Sequence, residues 1–219
     1  MEGQMLIIII PTAILVFAKK ALLFLAVPPV ATADDPGLAV YWGRHKEEGS
    51  PREACDTGRY TTVIIFYNAF GYGRYSLDIS GHPLAAVGAD IKHCKSRGVT
   101  VLLSISGQGG GYSLPTNASA AYVADNLWNA YLGSHRAGVA RPFGDDAAVD
   151  GIDFFIDQGG DDHYDDLARR LNGYNYYCGR VVVLLTATTS CSYPDHRLEK
   201  ALATGVFARI HVRMFGDEQ

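Results

Sequence analysis

Short apolar runs alternate with amphipathic stretches along most of this chain, and that alternation limits the folds open to it. Leu38–Trp42, Thr62–Tyr67, Val99–Ile105, Val149–Asp157, Val181–Ala187 and Ile210–Phe215 are rich in apolar and β-branched residues. Such near-continuous runs suit a parallel sheet covered on both faces. Between them, Pro83–Ser96 carries Leu84, Val87, Ile91 and Cys94 on one helical stripe, and Ala118–Leu132 carries Val123, Leu127 and Tyr131. Asp161–Leu171 repeats the pattern with Tyr164, Leu167 and Leu171, and Pro194–Leu202 with Leu198 and Leu202. Pro83 and Pro194 sit where helix starts tolerate proline, and Gly98 and Gly205 where helix ends favour glycine. Strand–helix repetition of this kind predicts a (β/α) barrel, whose active groups gather at the carboxyl ends of the strands. Asp157 lies at such an end.

The fourth run carries the chemistry. Side chains alternate faces along a strand, so Asp153, Phe155 and Asp157 share one face of Asp150-Gly151-Ile152-Asp153-Phe154-Phe155-Ile156-Asp157. Two carboxylates are costly to bury unless each is paired or protonated. The opposite face holds Val149, Ile152, Phe154 and Ile156, which implies cover there. The strand therefore reads as lining a site; the plainer alternative is an edge strand whose acids meet water.

Residues 1–33 are expected to be a leader rather than part of the domain at 34–219. Leu6–Ala18 and Ala21–Val30 are apolar, Lys19-Lys20 interrupts them, and Ala31-Thr32-Ala33 offers small residues for cleavage. A single membrane span from Leu6 to Val30 would bury both lysines near its centre, at about 2.5–3.5 kcal/mol each. After cleavage no membrane partner is expected. The net charge of −4 and the lack of a basic stripe argue against nucleic acid as a partner. Cys55, Cys94, Cys178 and Cys191 lack metal-ligand spacing, so no metal or other cofactor is implied; in a secreted chain they suggest disulfides whose pairing the spacing leaves open. Asn117-Ala118-Ser119 is a glycosylation acceptor sequence.

Asp150-Gly151-Ile152-Asp153 resembles the fourth-strand signature of glycoside hydrolase family 18, the class III plant chitinases, which reads D-G-x-D-x-D-x-E. Ser104-Ile105-Ser106-Gly107-Gln108-Gly109-Gly110-Gly111 is similar to the family's S-x-G-G segment, with Ser106 in place of its first glycine. No Gly-Lys-Ser/Thr follows, so the glycine run is not a phosphate cradle. The resemblance implies a (β/α)8 TIM barrel. It also implies a mechanism in which the final Glu protonates the leaving sugar and the preceding Asp orients the substrate's N-acetyl group. Phe155 stands at the orienting position and offers no hydrogen-bond acceptor. Asp157 stands at the acid position, one methylene short, which retracts its proton by on the order of 1 Å; such a displacement can cost about 100-fold in rate.

Tyr41-Trp42-Gly43-Arg44, Glu48–Cys55, Leu77–His82, Gly88–Cys94, Arg141–Asp145 and Ala201–Gly205 narrow the resemblance to the cereal xylanase inhibitor branch of that family. In that branch an aromatic already occupies the position of Phe155 and chitinase activity is lost. The resemblance implies a Cys55–Cys94 disulfide, and places Phe215 where active chitinases keep a tyrosine that assists the intermediate. It puts the partner of Cys191 beyond Gln219 and gives Cys178 no counterpart. With six strands read before Gln219, the barrel is expected to be truncated after its sixth strand, since a full barrel takes about 250 residues.

Three functions are carried forward. The first is a secreted, extracellular (apoplastic), non-catalytic protein that binds microbial xylanase in plant defence. The second is a weak chitinase, acting on β-1,4-N-acetylglucosamine linkages with Asp157 as acid. The third is a relic that binds chitin-type oligosaccharide through Tyr41, Trp42, Tyr67, Phe70 and Tyr112.

Overall fold

The computed structural model describes residues 8–10, 37–66, 69–71, 74–106, 114–178, 182–192 and 194–214. Six parallel strands lie side by side in chain order: β2 (Leu38–Trp42), β3 (Tyr60–Ile65), β6 (Thr100–Ser106), β7 (Gly151–Phe155), β8 (Leu184–Thr189) and β9 (Arg209–Val212). The connections carry α1 (Pro51–Asp56), α2 (Leu84–Ser96), α3 (Asn117–Ala130), α4 (Tyr164–Cys178) and α5 (Glu199–Leu202). A two-stranded antiparallel ribbon, β4 (Ala69–Gly71) and β5 (Arg74–Ser76), follows β3. This is the wall of a (β/α) barrel with its helices outside. Each of the six expected strands forms, with bounds shifted by up to three residues. β1 (Ile8–Ile10), inside the expected leader, adds antiparallel to β9.

Helix α1 has no apolar periodicity to advertise it; its start is fixed by chemistry at the cap. Ser50 accepts from the Glu53 amide while the Glu53 side chain accepts from the Ser50 amide, and Pro51 opens the first turn. Helix α3 starts on the same reciprocal arrangement between Thr116 and Ser119. A disulfide joins Cys55 of α1 to Cys94 of α2, as the resemblance implies. Closing a loop of 39 residues in this way stabilises by roughly 4 kcal/mol in a chain-entropy account.

The main core lies between sheet and helices. Phe154, Ile152, Leu103, Ile105, Leu127, Leu167 and Leu171 are fully or almost fully buried there. Arg141 holds the long loop after α3: its guanidinium donates to the carbonyls of Asn129 (2.8 Å), Ser134 (2.5 Å), Leu132 (3.0 Å) and Ala147 (3.0 Å).

Gly151 is required by the approach of the next strand. A Cβ there would lie 1.8 Å from the Leu184 carbonyl oxygen, in the register that pairs Gly151 with Leu184. Gly151→Ala is therefore expected to push β7 from β8 and lower stability by about 1–3 kcal/mol or more, as overpacking does. Urea unfolding measures it; an unchanged midpoint would refute the steric argument.

Candidate functional site

The inward faces of the strands converge on Asp153. Register sets Ser104, Asp153 and Thr186 side by side on β6, β7 and β8, with Thr188 and His211 adjacent on β8 and β9. Asp153 is wholly buried and accepts from Tyr41 Oη (2.9 Å), Ser104 Oγ (3.1 Å), Thr186 Oγ1 (2.6 Å) and Thr188 Oγ1 (3.1 Å). His211 Nδ1 stands 3.6 Å from its Oδ1. The Tyr41 hydroxyl also hydrogen-bonds Thr188 Oγ1.

Burial alone would push the Asp153 carboxyl up. Hydrogen bonding and charge from His211, with donation from Thr186 and Tyr41, outweigh it and hold the group below the ordinary aspartate range. Tyr41 moves well above the usual tyrosine value, through burial first and then the Asp153 charge beside it. The cluster is thus an ionised carboxylate ringed by protonated donors. The carboxylate itself is an acceptor there, not an acid.

One tier nearer the strand ends, Phe155 closes an aromatic triangle. Its ring lies 6.0 Å from Tyr41 and 5.7 Å from Phe66, and those two lie 6.1 Å apart. The Arg213 guanidinium sits 5.0 Å from the Phe155 ring centre, and that of Arg44 sits 4.3 Å from the Phe66 ring centre. Rings and guanidinium groups thus fill this tier of the barrel wall.

Asp157 lies two residues past the end of β7, half-buried. Its Oδ1 is buried and hydrogen-bonds none of the described residues, as is Arg213 Nε. Asp153 and Phe155 do share an inward face, as alternation requires. Asp157 belongs to the following loop, where strand alternation no longer fixes its direction.

Other residues singled out in the sequence are placed as follows. Trp42 is only 3% exposed; its Nε1 donates to the Gly49 carbonyl and its ring lies against His82, so packing occupies the surface a sugar would need. Tyr41 is committed through its hydroxyl to Asp153. Tyr67, Tyr112 and Phe215 lie outside the described residues, and of Phe70 only the backbone, in β4, is described. Asn117 heads α3; its Oδ1 accepts from Arg170 (2.8 Å), and its side chain also bonds Asp166. The Ser119 hydroxyl of the same acceptor sequence is buried and donates to the Thr116 carbonyl (2.5 Å). Cys178 ends α4 and Cys191 is exposed.

Thr186, Thr188, His211 and Arg213 went unread in the sequence. Their signal is polar residues at alternate positions of otherwise apolar strands, which marks an inward polar tier in a barrel. Among the described residues no group of three or more His, Cys, Asp or Glu could hold a metal ion, and no helix is long and apolar enough to cross a membrane.

A parallel barrel wall with an Asp-Gly-x-Asp strand at its centre defines the class. The chain belongs to glycosyl hydrolases family 18, which it matches over residues 37–215. It is 92% identical to xylanase inhibitor protein 2 of Oryza sativa subsp. japonica over 191 residues, 86% of this chain and 66% of that relative. The chain thus spans just under two thirds of that relative's length. Among solved structures, a chitinase from Ipomoea carnea superposes with a TM-score of 0.76 at 37% identity, covering 82% of this chain and 67% of that one. A xylanase and α-amylase inhibitor protein from Scadoxus multiflorus gives 0.72 at 41% identity, covering 78% of this chain and 63% of that one.

Proposed function

We propose that this protein is a secreted, non-catalytic member of the chitinase-like family that binds and inhibits microbial xylanases outside the plant cell. One observation carries the reading: Phe155 is packed against Tyr41 and Phe66 with Arg213 over its ring, at the position where the resemblance would put the orienting carboxylate of substrate-assisted hydrolysis. With the chemistry displaced, the scaffold is left to act by binding. The 92% identity to a rice xylanase inhibitor protein supports a xylanase as the partner. Secretion accords with the apolar leader and its small-residue cleavage site at Ala31-Thr32-Ala33, and with the disulfide between Cys55 and Cys94.

Titrating the purified protein into a fixed amount of microbial xylanase tests this. Xylanase rate is expected to fall in proportion to dose and to level off at a fixed stoichiometry. A flat titration into the micromolar range would overturn the assignment and leave oligosaccharide binding to be measured by calorimetry.

A further inference from the structure

A cavity of about 310 Å³ opens on the flank of the barrel, between α3, β5 with the residue that follows it, and the loop that follows α3. None of the Asp153 or Phe155 cluster lines it. Its walls include Tyr75, Leu77, Asn126, Tyr131, Val139 and Pro142. Tyr131 is almost fully buried, edge-on to Phe143 at 5.7 Å, whereas Tyr75 is 39% exposed. The wall at residues 138–142 is held in place by Arg141 through its four carbonyl bonds.

We infer that this cavity is a binding site for a neutral sugar, taking one or two pyranose units of an uncharged glycan. Its volume is at the small end of the roughly 300–1,000 Å³ typical of ligand sites. Tyrosines and aliphatic side chains suit the C–H faces of a pyranose. The Asn126 carboxamide brings both a donor and an acceptor, the pair that hydroxyl groups answer. Among the described residues no charged side chain other than the held Arg141 stands in the 138–142 wall, and none lines the cavity itself, so an acidic or phosphorylated sugar would lose solvation there without a counter-charge. A preformed wall also lowers the ordering cost of binding. The site is independent of any action on xylanase.

Calorimetry of the full chain with xylobiose and with N,N′-diacetylchitobiose, each taken into the millimolar range, tests it. Saturable binding of at least one sugar is expected, weakened tenfold or more by Asn126→Ala and by Tyr75→Ala, abolished by Ala140→Trp, and retained in Arg44→Ala. Should a variant misfold, chemical-shift mapping on the unaltered protein replaces it, with shifts expected at the Asn126 side-chain amide. Absence of saturable heat with both sugars, or binding indifferent to Asn126→Ala and Tyr75→Ala, would overturn the assignment. So would shifts confined to the Phe155 cleft.

Discussion

Asp153→Ala is expected to lower stability by about 3–5 kcal/mol, the loss seen when one member of a buried charged cluster is removed and its partners stay behind. Tyr41, Ser104, Thr186 and Thr188 would each keep a donor facing a cavity, and His211 would lose the carboxylate 3.6 Å away. Asp153→Asn should cost nearly as much, because its amide would set a donor among donors. Equilibrium unfolding in urea measures both. The same cluster dictates an acid response. The folded-state carboxyl is held below its ordinary range, so its contribution is present in full above the unfolded value of about 3.9 and is lost as pH falls through the folded value. Acid unfolding of the unaltered chain should therefore include a component that Asp153→Ala lacks. A neutral or stabilising effect of Asp153→Ala would show the cluster to be strained rather than structural.

Wherever burial repeats at a fixed period, the fold could be read from the residues. The six parallel strands and helices α2 and α3 answer to apolar runs and to stripes such as Val87, Ile91 and Cys94. Where polar capping or tertiary contact decides, the reading fell short. Helix α1 rests on the Ser50–Glu53 cap and the Cys55–Cys94 bond. The ribbon of β4 and β5 is too short for alternation to register. Helix α4 runs to Cys178, past the expected Leu171, through Asn172, Gly173 and Asn175, which have low helix propensity; tertiary contacts hold this stretch, with Trp128 of α3 stacked on Tyr174 at 4.4 Å and Asn175 bonded to the Val183 backbone. Expected helix Pro194–Leu202 shrinks to α5, because the Asp195 carboxylate accepts from the Arg197 and Leu198 amides and holds that stretch as a turn.

The site was legible in part for the same reason. Alternation on β7 put Asp153 and Phe155 on one inward face. It could not say that Asp153 would be saturated by hydroxyls from β2, β6 and β8, since those partners lie as many as 112 residues away in the chain. Nor could it foresee the two arginines over the rings: Arg44 follows β2 and Arg213 follows β9, and only the side-by-side assembly of the strands brings their charges over Phe66 and Phe155.

Chitin oligomers are expected to survive this protein intact. On the proposed reading, a ring replaces the acceptor that would hold the N-acetyl nitrogen, and Asp153 does not make good the loss because its oxygens already accept from four hydroxyls. General acid catalysis contributes about 10²–10⁴-fold where the acid is well placed. If Asp157 stands at the acid position as proposed, its side chain, shorter by one methylene, would forfeit much of that. Lengthening it does not help while Phe155 remains, so Asp157→Glu is expected to be as inactive as the unaltered chain.

Turnover of chitin oligomers by the purified protein and by Asp157→Glu, followed by mass spectrometry over long incubation, bears on this most directly. The expected outcome is no shortened oligomer from either. Steady release of product by the unaltered chain, abolished in Asp157→Ala, would mean that hydrolysis proceeds despite the phenyl ring, and would contradict the account.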